Sequence, residues 1–302
     1  MLNLQLLRIF CDVRKIFLLL AIIFFSSCSP RGTDTKERII TVSIAPFEYF
    51  VSEIGGEDFT VNVMVPAGAN PHIYEPFPQQ IFNLRKSVGY VSNGYLGFEL
   101  TWLDRFYDTN RTMKKLSLSK NIEPLGASHR HEGDHIEGAD PHYWVSPKSA
   151  LTMALSVRDF LCELNPVSES KYETNYQELL LRIQELDKRA ASLFSGVQHR
   201  SFMIFHPNLG YLARDYGLEE IAVEYEGKEP PPSRMKELID RARNEHIKTI
   251  FVQREYDTKN ARAIADEIGA KLQIIDPLSA EWMDSTREII STLYASLNES
   301  SK

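Results

Sequence analysis

Cysteine is scarce in this 302-residue chain: of three copies, Cys11 and Cys28 sit in the N-terminal segment and Cys162 stands alone in the body. No disulfide can form within that body. Cys162 lies in LSVRDFLCEL at helical spacing from Val157 and Leu161, and reads as a small core residue. Basic charge is short too, with 34 Lys and Arg against 41 Asp and Glu and a formal net charge of -7. Phosphate neutralisation needs clustered Lys and Arg, so nucleic acid is excluded as a partner. Two hydrolase signatures are missing, HExxH and the Gly-x-Ser-x-Gly elbow. The apolar run Ile16 to Phe25 is too short to cross a bilayer comfortably.

That run has a function of its own. Arg14 and Lys15 precede it and Ser26-Ser27-Cys28-Ser29 follows, the order of a secretory signal. A cysteine directly after small residues resembles the lipobox of bacterial lipoproteins. Residues 1–28 are therefore expected to form a signal ending at a lipid-bearing Cys28, with 29–37 as a polar tether. Phe25, where Leu is typical, keeps a plain signal peptide open as the alternative.

From Ile39 onward, β-rich runs alternate with helical patterns, which predicts an α/β fold with mainly parallel sheets. Strands are expected at Ile39–Ile44, Phe59–Val65 and Gly89–Ser92, then at Ser201–Phe205, Leu218–Val223, Thr249–Val252 and Lys271–Ile275. Helices are expected at Phe47–Ile54, Gln79–Ser87, Pro147–Leu164, Ser233–Asn244, Lys259–Ile268 and Trp282–Leu297. Between the halves, Ser168 to Phe194 lacks Gly and Pro and carries Tyr172, Tyr176, Leu179, Ile183, Leu186, Ala190 and Leu193 at alternating steps of four and three, one face of a long helix. The expected organisation is an N-terminal lobe at 38–167, a long connecting helix at 168–196 and a C-terminal lobe at 197–302.

Against this frame, eight histidines are an ordinary number, but three of them are flanked by proline beyond strand-like runs: Pro71-His72, Pro141-His142 and His206-Pro207. Proline fixes φ and biases the residue before it toward extended backbone, which holds a loop residue in place. His72 and His206 follow strands, His142 precedes the helix opening at Pro147, and Asp276 follows Lys271–Ile275. Ligands bind at that carboxyl edge in open α/β sheets. Two candidates come from each half, so a shared site would lie in the cleft between lobes, three imidazoles and a carboxylate being a donor set for zinc. Glu224 and Glu226 are further acidic candidates, read rather as loop residues. His129, His131 and His135 form a short His and acid tract suited to weak accessory metal binding.

The stretches TVSIAPFEYFVSEIGGE, PAGANPHIYEPFPQQ, ADPHYWVSPKSA, FHPNLGYLARDYGL and the closing DPL resemble the zinc and manganese substrate-binding proteins of bacterial ABC transporters, the TroA-like solute-binding proteins. That resemblance implies two lobes bridged by one long helix, with metal held between them by His72, His142 and His206. Asp276 matches a position that is a ligand in some members and replaced by water in others. Three nitrogens favour Zn²⁺ over the harder Mn²⁺, which stays the alternative cargo.

The function expected is an extracytoplasmic, lipid-anchored, monomeric receptor that captures Zn²⁺ and delivers it to an ABC permease and its ATPase. Capture is expected to weaken as pH falls through the ordinary histidine range near 6.5. A surface adhesin or metal scavenger and a zinc hydrolase are the readings from other classes. The chain is expected not to be an enzyme.

Overall fold

The computed structural model describes residues 38–126, 129–130, 136–224, 230–256 and 259–299. The expected leader with Cys28 and the tether lies outside them, as do His131, His135 and Glu226. Among the described residues no helix is long and apolar enough to cross a membrane.

β1 (Ile39–Ile44), IITVSI, is buried at every position. Such a strand suits the interior of a parallel sheet covered on both faces. It pairs with β2 (Thr60–Val65) and β3 (Ser87–Ser92), and β4 (Lys114–Ser117) completes the order β2-β1-β3-β4. All the pairings are parallel. The intervening helices are α1 (Ala45–Gly55), α2 (Pro78–Leu84) and α3 (Gly97–Thr109). Pro46 and Pro78 stand in first turns, where a missing N–H removes no helical hydrogen bond. A two-residue antiparallel pair, β5 (His129–Arg130) with β6 (Ile136–Glu137), is followed by α4 (Pro147–Leu164). Ser146 caps α4 by accepting the Lys148 N–H at 3.2 Å.

α5 (Glu169–Ser195) is the long helix, 27 residues, or about 40 Å at 1.5 Å per residue. Its buried stripe is the predicted one, except that Phe194 rather than Leu193 closes it. The second sheet has the order β10-β9-β7-β8. It is built from β7 (Ser201–Ile204), α6 (Gly210–Tyr216), β8 (Glu219–Ala222), α7 (Pro232–Asn244), β9 (Thr249–Gln253), α8 (Lys259–Ile268) and β10 (Lys271–Ile275), with α9 (Trp282–Glu299) last. Its pairings are also parallel. The expected class, two parallel α/β lobes bridged by a long helix, is the observed one. The sequence reading lacked β4, β5, β6, α3 and α6.

α5 packs on α1 and α4 of the first lobe and on α6 and α9. One apolar core consequently runs through both lobes, from Ile40 and Phe50 through Ile183 to Phe202 and Leu293. A second, smaller core that includes Met203, Ile250 and Ile264 lies in the second lobe alone. The continuous core is pinned by two indoles. Trp144 Nε1 donates to the Pro277 carbonyl at 2.8 Å, and Trp282 Nε1 donates to the Trp144 carbonyl at 2.7 Å. Trp282 also lies 5.0 Å from the Phe50 ring. Both indoles are almost wholly buried, so each N–H needs such a partner.

Truncating Trp282 removes packing and one of these bonds together. Trp282→Ala should lower unfolding free energy by about 3–5 kcal/mol, with both lobes still melting in one transition. Denaturant titration followed by circular dichroism reads this. Two separated transitions in the parent protein would contradict a shared core.

Candidate metal centre

His72 lies in the loop after β2, and that loop is tied down locally. Asn70 Oδ1 accepts the His72 N–H at 2.9 Å. Gln80 of α2 accepts the Phe77 N–H at 2.8 Å and donates to the Val63 carbonyl at 3.0 Å, so the loop's exit is bound to the strand's end. α3 starts with Gly97 because the loop crosses it closely: a Cβ there would lie 2.7 Å from the His72 carbonyl oxygen. Only a residue without a side chain permits that approach.

His142 precedes a short 3₁₀ turn, Tyr143–Val145. Asp140 Oδ1 accepts its backbone N–H at 2.8 Å and its ring Nδ1–H at 2.7 Å. Asn93 Nδ2 donates to the Pro141 carbonyl at 2.9 Å, Tyr143 donates to the Asn93 carbonyl at 2.7 Å, and Tyr211 of α6 donates to the Asp140 carbonyl at 2.9 Å. Asn93 is itself fixed by buried Glu99, which accepts its N–H at 2.7 Å and that of Gly94 at 2.6 Å. Burial pushes the Glu99 carboxyl up to about 7. The His142 loop is thus held from both lobes.

His206 follows β7. Its Nδ1 meets Glu224 Oε2 at 2.5 Å, and its carbonyl accepts from Gln253 Nε2 at 2.8 Å. Glu220 accepts the next two available N–H groups, Asn208 at 3.0 Å and Leu209 at 2.8 Å. Burial raises this carboxyl to about 7 as well. The Tyr256 ring stacks on His206 at 4.6 Å.

These loops bring the three imidazoles together. Ring centroids stand 5.3, 5.0 and 5.2 Å apart, and one nitrogen from each ring lies within 4.8 Å of the others. A tetrahedral zinc ion with nitrogens at 2.0–2.1 Å sets them about 3.4 Å apart, so a small inward movement would close the set. Asp140 and Glu224 engage the Nδ1 atoms of His142 and His206, leaving Nε2 lone pairs inward, the carboxylate–histidine arrangement that orients metal ligands. His206 Nε2 is buried and has no hydrogen-bond partner among the described residues.

Asp276 is not brought into this cluster. Its carboxylate pairs with Arg254 at 3.1 Å and lines a neighbouring pocket with Ser285 and Ile289. Glu224, an acidic candidate read rather as a loop residue, supports His206. Asp140, Glu99 and Glu220 were missed, although Asp140 stands two residues before His142 and an Asx turn was open to inference. Of the accessory tract only the His129 backbone is described, in β5.

A family model described as ZnuA, zinc-uptake complex component A, periplasmic, matches residues 40–296. The chain belongs to this family. Within it, the chain is similar to the zinc-binding lipoprotein AdcA of Streptococcus pneumoniae (strain ATCC BAA-255 / R6), 28% identical over 290 residues, 91% of this chain and 57% of the relative. It thus spans little more than half of that relative's length. A putative metal-binding protein of Treponema pallidum (strain Nichols) is 29% identical over 82% of each chain. A crystal structure of ZnuA aligns with a TM-score of 0.81 at 35% identity, covering 87% of this chain and all of that one. A zinc-bound ZnuA deletion mutant aligns at 0.79 with 36% identity, covering 86% and 98%. The resemblance read from the sequence is borne out at the level of family and fold.

Protonation of the cluster follows from its burial. Desolvation, then repulsion from His142 and His206, lowers His72 to about 3. Desolvation also lowers His206, outweighing its bond to Glu224. Burial alone would raise Asp140, but attraction to His142 and hydrogen bonds from it bring the carboxyl below its ordinary value. In the unfolded chain a histidine takes a proton near 6.5; folded His72 does so only near 3. Between those values the unfolded state holds more protons, so stability is complete above 6.5 and falls as pH falls. Metal-free protein should therefore melt at progressively lower temperature from pH 6.5 toward 4, and His72→Gln should flatten that slope. An equal slope in the variant would contradict a neutral, buried His72.

Proposed function

We propose that this chain is an extracytoplasmic receptor that captures Zn²⁺ at His72, His142 and His206 and delivers it to an ABC permease driven by its ATPase. The reading includes a lipid anchor at Cys28, a monomeric state and lobes at 38–167 and 197–302 joined by 168–196. The carrying observation is the convergence of three largely buried imidazoles, supplied by loops of both lobes, with carboxylates oriented behind two of them. Nitrogen donors suit zinc better than manganese. Family membership and the zinc-binding relatives support the same cargo.

Transport rather than catalysis is supported by the space available. The cavity against the imidazoles has a free volume of about 10 Å³, on the scale of a single water, whereas organic ligands occupy pockets of about 300 Å³ and more. An ion fits there as cargo. Because burial lowers His72 and His206, protons compete for these two ligands only below the range of free histidine.

Zinc titration against a competing chelator tests the site. The protein without its leader should bind one ion tightly, and His72→Ala with His206→Ala should abolish that binding. Tight binding in the double variant would overturn the assignment. A second expectation comes from the shared core and the 27-residue helix. Solution scattering should give nearly equal radii for metal-free and zinc-loaded protein, since wide hinge closure would tear that core; a large contraction would contradict it.

A further inference from the structure

The cavity beside the histidines holds more unmatched chemistry than three ligand nitrogens. Asn208 Oδ1, Gln253 Oε1 and Glu255 Oε1 are each buried without a hydrogen-bond partner among the described residues, as is His206 Nε2. All four residues line the same cavity, together with His72 and His142. The remaining wall is Pro71, Trp144, Tyr256, Pro277 and Leu278; its side-chain donors are the Trp144 indole, which is committed to Pro277, and the Tyr256 hydroxyl, and neither is bonded to these oxygens. Buried acceptors left without donors are unfavourable, and three on one wall mark a place built for a donor that arrives with the ligand.

The imidazole nitrogens want a cation, and the oxygens want O–H groups. A metal-bound water supplies the second while the ion supplies the first. Coordination polarises the water and makes it a stronger donor. Glu255 is not among the groups whose ligand atoms lie within 4.8 Å of one another, as expected of a residue one water beyond the ion. The carboxylate expected in the fourth position, Asp276, is occupied with Arg254.

We propose that Glu255, together with one of the amide oxygens of Asn208 and Gln253, accepts the two hydrogen bonds of a water that completes the coordination of the captured ion. The inference rests on the receptor reading and deepens it: Glu255 is a positioning residue for the fourth ligand, not a ligand. Its carboxylate also adds negative charge to that of Asp140 and Glu224 around a dication.

The test compares the parent protein with Glu255→Gln, using Zn²⁺ alone and a competing chelator, together with thermal unfolding of the metal-free forms. Loss of an outer partner of a metal site costs about 10–100-fold in affinity. Glu255→Gln should therefore still bind one ion, about 10–100-fold more weakly, while its metal-free form melts at the same or a higher temperature because the desolvation cost of a partly buried carboxylate is gone. A merely structural role would lower both together. Unchanged zinc affinity overturns the proposal, as does complete loss of binding equal to that of the His72 and His206 double variant, which would make Glu255 a ligand itself. If the double variant keeps tight binding, the receptor site fails instead.

Discussion

Two indole N–H groups, each donating to a backbone carbonyl across the interlobe boundary, set the geometry on which everything else in the molecule rests. Trp144 reaches Pro277 and Trp282 reaches back to Trp144. Trp144 stands two residues beyond His142 with its ring 5.3 Å from that imidazole, and Pro277 and Leu278 line the same cavity. The bonds that join the lobes therefore also fix one wall of the site. Because a single apolar core continues along α5 through both lobes, the lobes cannot separate widely without exposing it. Ligand exchange is left to the loops, each tethered by a few hydrogen bonds that can open at modest cost.

Within that frame, electrostatics prepares the nitrogens. Desolvation keeps His72 and His206 neutral at physiological pH, which is the form a metal requires. Asp140 and Glu224 then hold Nδ1 of two rings, so that the opposite nitrogens face inward. Buried carboxylates one layer further out, Glu99 and Glu220, spend their oxygens on backbone N–H groups of the loops that carry His142 and His206. The acidic residues at the centre thus act on loop geometry and ring orientation.

Much of this architecture was legible in the sequence where burial leaves a periodic trace. β1 is a β-rich run buried at every position, and α5 repeats one apolar stripe without Gly or Pro, so both were read nearly to their ends. β4, KKLS, is an edge strand with exposed lysines, and α3, GFELTWLDRFYDT, mixes charge through its length; neither carries a clear period. The three histidines were placed by proline and strand ends. Asp276 shared that signal yet turns to Arg254, a contact between neighbouring strand ends that spacing along the chain does not encode. The place of Glu224 behind His206, and Glu255 altogether, were hidden for the same reason, since their significance lies in what they face.

The central claim is that one ion sits among His72, His142 and His206 with a water as its fourth ligand. X-ray absorption at the zinc edge of the loaded protein measures that shell directly. Three imidazole nitrogens and one oxygen near 2.0–2.1 Å, with the multiple-scattering signature of three rings, is the result expected. A shell with fewer than three imidazoles, or one dominated by carboxylate oxygens, would contradict it.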